Sequence, residues 1–344
     1  MWTIYSDAHR LHRPRLEVVD GELADSLEKP ERADQVLNEV VARQLGPVAL
    51  AVEHGLEAAA RVHSADYLRY LQHAWQNWAA LGRTRDVLPY CFAVRGMGKV
   101  QPDHPDGLAG YYAMDGAAPI GAGTWQAARS SVDCALSALE RISQQRDRAA
   151  FALCRPPGHH AGADYLGGYC YLNNAAIAAQ RLRDEGCARV AVLDIDHHHG
   201  NGTQQIFYER NDVLFVSLHA DPAREYPYFL GHAQERGEGP GLGFNLNLPL
   251  PEGADYARWS EALHTGCAAI EAFAPDALVV SLGVDTYEAD PLSTFRLKPS
   301  DFLRVGERIG ACRVPTLFVL EGGYALTEMG SNVVNVLEGF EHRA

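Results

Sequence analysis

The sequence predicts one α/β domain with a central, mainly parallel β-sheet flanked by helices on both faces. Three observations carry that expectation. Short apolar runs of strand length alternate with longer helical patterns, as parallel strands buried on both sides require. No repeat of fixed period and no Gly/Ser- or Pro-rich linker divides the 344 residues. Hydrophobic residues make up 47% and charged residues 22%, an average balance for a soluble chain long enough to bury a large core without staples.

Taken in order, the opening Met-Trp-Thr-Ile-Tyr-Ser-Asp lacks a basic start leading into an apolar run, which excludes an ordinary signal peptide. No apolar stretch approaches the roughly 18 residues needed to cross a bilayer. A cytoplasmic protein with no membrane partner is expected. Residues 79–110 carry Gly82, Pro89, Gly96, Gly98, Pro102, Pro105 and Gly107 with little periodicity, which reads as a long loop. Such loops in compact domains often serve as lids or binding elements; a floppy insertion is the plainer alternative. Helical patterns follow at residues 125–143, 173–185, 256–273 and 300–310. Strand-like runs fall at 150–154, 190–194, 213–218, 277–282 and 315–320.

The seven cysteines are scattered and never spaced Cys-x-x-Cys, so neither a disulfide framework nor a thiolate metal site is expected. A formal net charge of −14 argues against nucleic acid as a partner. It suits the steering of a cationic substrate, although solubility alone explains many acidic surfaces.

In parallel sheets, function gathers beyond the carboxyl ends of the strands. Each apolar run is followed by, or ends on, polar groups: Arg155-Pro-Pro-Gly-His159-His160, Asp194-Ile-Asp196-His197-His198, His219, Gly283-Val-Asp285 and Glu321-Gly-Gly-Tyr324. Side chains alternate along extended backbone, so Asp194, Asp196 and His198 share one side. With Asp285 from another strand end, Asp196 and His198 make three mixed N/O ligands and leave a position open, the layout of a catalytic zinc site. Fe(II), Mn(II) or Co(II) suits the same donors nearly as well. The alternative is a His-rich turn with a salt bridge. The stiff Pro-Pro-Gly turn can hold His159 and His160 for acid/base work. Tyr324, after two glycines, can reach a developing oxyanion, unless it is simply a core tyrosine.

Together these residues resemble the histone deacetylase branch of the arginase/deacetylase superfamily. The resemblance rests on Arg155-Pro-Pro-Gly-His-His160, Gly167-Gly-Tyr-Cys-Tyr-Leu-Asn-Asn174, Asp194-Ile-Asp-His-His-His-Gly-Asn-Gly-Thr203, Ser217-Leu-His219, Ser281-Leu-Gly-Val-Asp-Thr286 and Glu321-Gly-Gly-Tyr324. Tyr5-Ser-Asp-Ala-His9, Glu17, Gly110-Tyr-Tyr112 and Gly123-Thr-Trp125 are similar to the acetylpolyamine amidohydrolases within that branch. The resemblance implies hydrolysis of acetylated polyamines with Asp196, His198 and Asp285 as metal ligands. It makes His160 the general base and acid, oriented by Asn201, and His159 its electrostatic partner, oriented by Asp194. Tyr324 becomes the oxyanion donor. Gly168, Tyr169, Tyr226 and Leu292 would wall the substrate tunnel, and Glu17 and Asp106 would receive the distal ammonium. The family further implies K+ or Na+ near Asp194, Asp196, His198, Ser217 and Leu218, and again near Phe207, Arg210, Val213 and Phe244. It also implies a homodimer in which the 79–110 loop narrows the partner's channel.

This chain departs from the family at Tyr226, where Phe is common, at Asp106, one methylene shorter than Glu, and at His197, which alternation turns from the metal. The rival readings are a broader acyl-lysine or small-amide deacylase and, in another class, a catalytically silent acyl-amine binding protein. An arginase-like guanidine hydrolase would need a second metal and more carboxylates.

Overall fold

In the computed structural model, which describes residues 1–19, 21–94, 96–97 and 100–343, ten strands and ten α-helices are found among the described residues. The strands are β1 (Trp2–Tyr5), β2 (Leu16–Val19), β3 (Glu22–Asp25), β4 (Val48–Leu50), β5 (Ala149–Ala152), β6 (Val190–Asp194), β7 (Val213–Ala220), β8 (Asn245–Leu250), β9 (Ala277–Leu282) and β10 (Thr316–Leu320). The helices are α1 (Glu31–Ala42), α2 (Glu57–Ala60), α3 (Ala65–Ala79), α4 (Pro105–Tyr111), α5 (Thr124–Ser143), α6 (Asn174–Asp184), α7 (Asn201–Phe207), α8 (Tyr256–Phe273), α9 (Pro299–Gly310) and α10 (Leu326–Arg343).

Strands β2 and β3 form a separate antiparallel hairpin; the other eight make one sheet in the order β4-β1-β5-β10-β9-β6-β7-β8, parallel at every pairing. Alternation along the central strands explains the layering. Ala191 and Leu193 of β6 join Phe318 and Leu320 of β10 in a core covered by α1, α8, α9 and α10. Val190 and Val192 join Leu317 and Val319 in a second core under α5 and α6. A third apolar cluster, built on Tyr67, Leu71 and Trp78 of α3 with Tyr112 and Tyr171, buttresses the side where the long loop begins.

The expected strands and helices form within two residues of their expected limits. The run at 150–154 stops early because Cys154 N–H turns back to Ala152 O at 2.9 Å. The segment 79–110 is not loop throughout: Pro105 opens α4 in its first turn, where its missing N–H costs nothing, and the His104 side chain caps it. Arg95, Gly98 and Lys99 of that segment lie outside the described residues. The strands that sequence patterning did not single out are three- or four-residue pieces or, in β8, a run with polar Asn245 and Asn247 on one face. Their place in the sheet is set by pairing rather than by local composition.

Candidate functional site

Strands β5, β10, β9, β6 and β7 are consecutive in the sheet, and their carboxyl ends open on one cleft of about 450 Å3. At its floor Asp196, His198 and Asp285 bring one donor atom each within 4.8 Å of one another. His198 Nδ1 stands 3.4 Å from Asp196 Oδ1 and 3.3 Å from Asp285 Oδ2. Two further bonds spread this corner: Asp285 Oδ1 accepts from His197 N–H at 2.8 Å and Asp196 Oδ2 from Gly322 N–H at 2.8 Å. Asp285 Oδ2 is buried with no hydrogen-bond partner. Burial, with the charge of Asp196 beside it, pushes the Asp285 carboxyl up to about 7. Two buried carboxylates that share one imidazole are costly unless a cation meets them. The donor set therefore fits a divalent metal, of a kind these atoms alone do not select.

His159, Cys170 and Glu321 also offer atoms within 4.8 Å. They are poor metal donors, because Glu321 Oε2 already accepts from Gly158 N–H at 2.7 Å and His159 N–H at 3.1 Å. Burial also drives the Cys170 thiol well above its usual pKa, so it keeps its proton.

The paired histidines are distinguished by their partners. The Asn201 amide nitrogen faces His160 O, the Tyr165 hydroxyl and Met114 Sδ, which turns Oδ1 to His160 Nδ1 at 2.7 Å. An acceptor there places the proton on Nδ1 and leaves the His160 Nε2 lone pair free. Burial, and then His159 beside it, lowers the His160 pKa far below its ordinary value. His159 Nδ1 donates to Asp194 Oδ2 at 3.0 Å. Burial opposes its charge, but Asp196 and Asp194 outweigh that and lift it to about 10. The two rings lie 3.9 Å apart, so a charged His159 keeps His160 neutral.

Tyr324 is turned into the cleft by the loop after β10, where Gly323 adopts φ +133°. Arg32 of α1 holds that loop. It donates to Glu321 O at 2.5 Å and Gly323 O at 2.6 Å, and its guanidinium lies 4.6 Å from the centre of the Tyr324 ring. Glu28, wholly buried, pairs with both Arg32 and Arg155 at 2.8 Å, and Arg155 ties the His9 and His12 carbonyls to the same knot. Asp290 Oδ2 accepts from Tyr324 N–H at 2.6 Å while Oδ1 accepts from Leu292 N–H at 3.1 Å, joining the phenol to the cleft wall.

Of the expected binding residues, Glu17, Gly168, Tyr169, Tyr226 and Leu292 all line the cleft. Glu17 comes from β2; Leu27 N–H bonds its Oε1 at 3.3 Å, the Tyr169 hydroxyl lies against its carboxylate, and burial raises its pKa. Tyr169 stands 5.5 Å from Tyr324, and Tyr226 packs edge-on to His160 and His198 at 5.0 and 5.8 Å. Asp106 is not brought to this cleft: Arg83 binds it in a fork and holds its pKa down. His197 does turn away, packing on Phe295 at 4.5 Å. Behind the floor, Asp194 is in register with Ser217, next to Leu218 on β7; Ser217 Oγ lies 2.8 Å from His219 Nδ1. Phe207 O and Phe244 O accept from Arg210 and Phe215 N–H at 2.9 and 3.0 Å, around the start of β7 at Val213.

Sequence reasoning missed Asp115, Arg32, Glu28 and Asp290. Glu28 and Arg32 stand four residues apart, a spacing that flags a local ion pair. Their reach to Arg155 and to the loop after β10, like the bonds of Asp115 to Tyr226 and of Asp290 to Tyr324, joins distant segments that no spacing rule connects.

Comparison with known proteins agrees with this geometry. Residues 26–340 match the family model for the histone deacetylase domain. The chain is 56% identical to acetylpolyamine amidohydrolase 2 of Pseudomonas aeruginosa, over 99% of each protein. It is 47% identical to the acetylpolyamine amidohydrolase of Mycoplana ramosa, over 98% of this chain and 99% of the relative. The crystal structure of the acetylpolyamine aminohydrolase from Burkholderia pseudomallei superposes with a TM-score of 0.94 at 42% identity, covering 99% of this chain and 98% of that one.

Proposed function

The chain belongs to the histone deacetylase family, and from that premise we propose that it hydrolyses N-acetylated polyamines to acetate and the free amine, as a zinc-dependent cytoplasmic enzyme. The observation that carries this reading is the convergence of His160, its Nε2 free, with Tyr324 and the Asp196–His198–Asp285 cluster in one narrow cleft.

Asp196, His198 and Asp285 would hold the metal, zinc in this reading with Fe(II), Mn(II) and Co(II) as competitors. Bound there, it supplies Lewis acidity that polarises the amide carbonyl and acidifies water. His160 Nε2 takes the proton of the attacking water and passes it to the departing amine. Asn201 keeps that nitrogen free, and Asp194 keeps His159 charged beside it. Tyr324, its proton retained by burial, donates to the oxyanion of the tetrahedral intermediate. Tyr169, Tyr226, Gly168 and Leu292 flank the methylene chain, while Glu17 and the net charge of −14 favour a cationic tail. The broader deacylase reading shares all of this chemistry and differs only in the width of substrate admitted.

K+ or Na+ would bind behind the floor at the two groups of residues around β7. Exposed Tyr90, Val94, Met97 and Val100 on the 79–110 segment support a homodimer in which that segment narrows the partner's cleft. Asp106 would act there rather than in its own cleft.

The test is turnover of acetylputrescine, acetylcadaverine, acetylspermidine and an acetyl-lysine peptide by protein stripped with a chelator and reloaded with one metal at a time. Acetylated amines should be cleaved in preference to the peptide, and the stripped protein should be inert. A preference for the peptide would overturn the polyamine reading; undiminished activity after stripping would overturn the metal-dependent one.

A further inference from the structure

Tyr226 carries a hydroxyl that a tunnel wall made of Phe would lack, and the structure gives that hydroxyl a single partner: it donates to Asp115 Oδ2 at 2.6 Å. The same oxygen accepts the Gly168 N–H at 2.9 Å, and Oδ1 accepts the Ala117 N–H at 2.9 Å. The two donors on Oδ2 come from different sides of the cleft. Tyr226 stands over His160 and His198, whereas Gly168 leads into Tyr169, which faces Tyr324. Between them space is already exhausted: a Cβ on Gly168 would lie 2.8 Å from the Tyr226 oxygen and 2.3 Å from His160 Cδ2. Charge-assisted bonds to one carboxylate are short and strong, so neither wall can drift without breaking one.

We infer that Asp115 is a positioning and specificity-determining residue: by latching the Tyr226 hydroxyl and the Gly168 N–H to one carboxylate, it sets the breadth of the channel next to the reacting centre and restricts it to a slender acyl amine. The inference rests on the deacetylase reading above. It assigns the Tyr226 hydroxyl a structural purpose, as a donor to Asp115, which lines the same cleft.

The experiment compares kcat and KM on acetylputrescine and on its analogue with a methyl branch at the carbon beside the amide nitrogen, for zinc-loaded wild type, Tyr226→Phe, Asp115→Ala and the Tyr226→Phe/Asp115→Ala double variant. An apolar channel discriminates one methyl group by about ten- to two-hundredfold, so each of the first two variants should shrink the unbranched-over-branched ratio of kcat/KM by about tenfold, mainly through KM. The double variant should go no further than about twofold beyond Asp115→Ala, because both changes cut the same bond. An unchanged ratio in Tyr226→Phe or additive effects in the double variant would each overturn the latch. Wild type inert on every acyl amine would sink the deacetylase reading and this role with it; an active wild type whose variants keep the ratio sinks the latch alone.

Discussion

The phenol of Tyr324 serves an oxyanion only while it keeps its proton, and burial secures this by holding its pKa well above the ordinary value. Tyr324→Phe removes that donor and leaves the ring on Arg32. We expect kcat to fall by about a hundredfold or more with an unchanged melting midpoint. Steady-state rates beside a thermal melt decide it, and near-normal turnover would remove Tyr324 from the mechanism. Gly168 makes a different demand. It sits at φ +51° and a methyl group there meets the His160 ring. Gly168→Ala should displace the imidazole by about 1 Å and lower kcat/KM by about a hundredfold, since misplacing a reacting group by about that much carries such a cost. Activity equal to wild type would show that the base has slack the packing does not suggest.

Between elements, α1 matters more to the site than its sequence indicates. Its Arg32 crosses to the loop after β10 and bonds the two carbonyls that flank the turn to Tyr324, while Glu28, just before the helix, neutralises it. Arg32→Gln leaves Glu28 still paired with Arg155, so the loss is that of the buried hydrogen bonds Arg32 makes. It should lower stability by about 1–3 kcal/mol and reduce kcat more than it raises KM. Chemical denaturation and kinetics on the same preparation test both halves. A destabilised variant with normal kcat would make Arg32 a strut for the fold and not for the phenol.

Over the whole molecule, buried neutral histidines couple the fold to pH. Burial, the largest cause in each, lowers His12 to about 3 and His63 and His219 to about 4. His63 shows why the neutral form is needed: its Nε2 accepts the Asn173 N–H at 2.9 Å, at the start of α6, and its Nδ1 donates to Gly162 O at 2.9 Å. The sign follows directly. Below about pH 6.5 the unfolded chain binds protons that the native chain refuses, so the stabilisation is full above that pH and is lost as pH falls toward the native values. Each such group contributes about 1.4 kcal/mol per pH unit over that window. Melting midpoints should drop steeply between about pH 6.5 and about pH 4, and His63→Gln should flatten the slope by about one proton. A slope left unchanged by His63→Gln would contradict the buried neutral state of His63.

The sequence by itself determined the parallel sheet, because strands buried on both faces must be apolar along their length and helices must separate them. It also marked the polar groups that follow β5, β6, β9 and β10, because backbone alternation and strand direction are local rules that place Asp196 and His198 on one side and Asp285 at a neighbouring end. Tertiary structure decided what those rules do not reach. Asp115 becomes meaningful only when Tyr226, 111 residues away, arrives at its carboxylate. Arg32 gains its role only when Glu321, 289 residues on, turns its carbonyl toward it. Asp106 lies outside its own chain's cleft, where Arg83 holds it in a fork. A lone charge in a sequence has no period or spacing to betray its partner; hydrogen bonds and ion pairs between distant segments are chosen by the packing that brings them together.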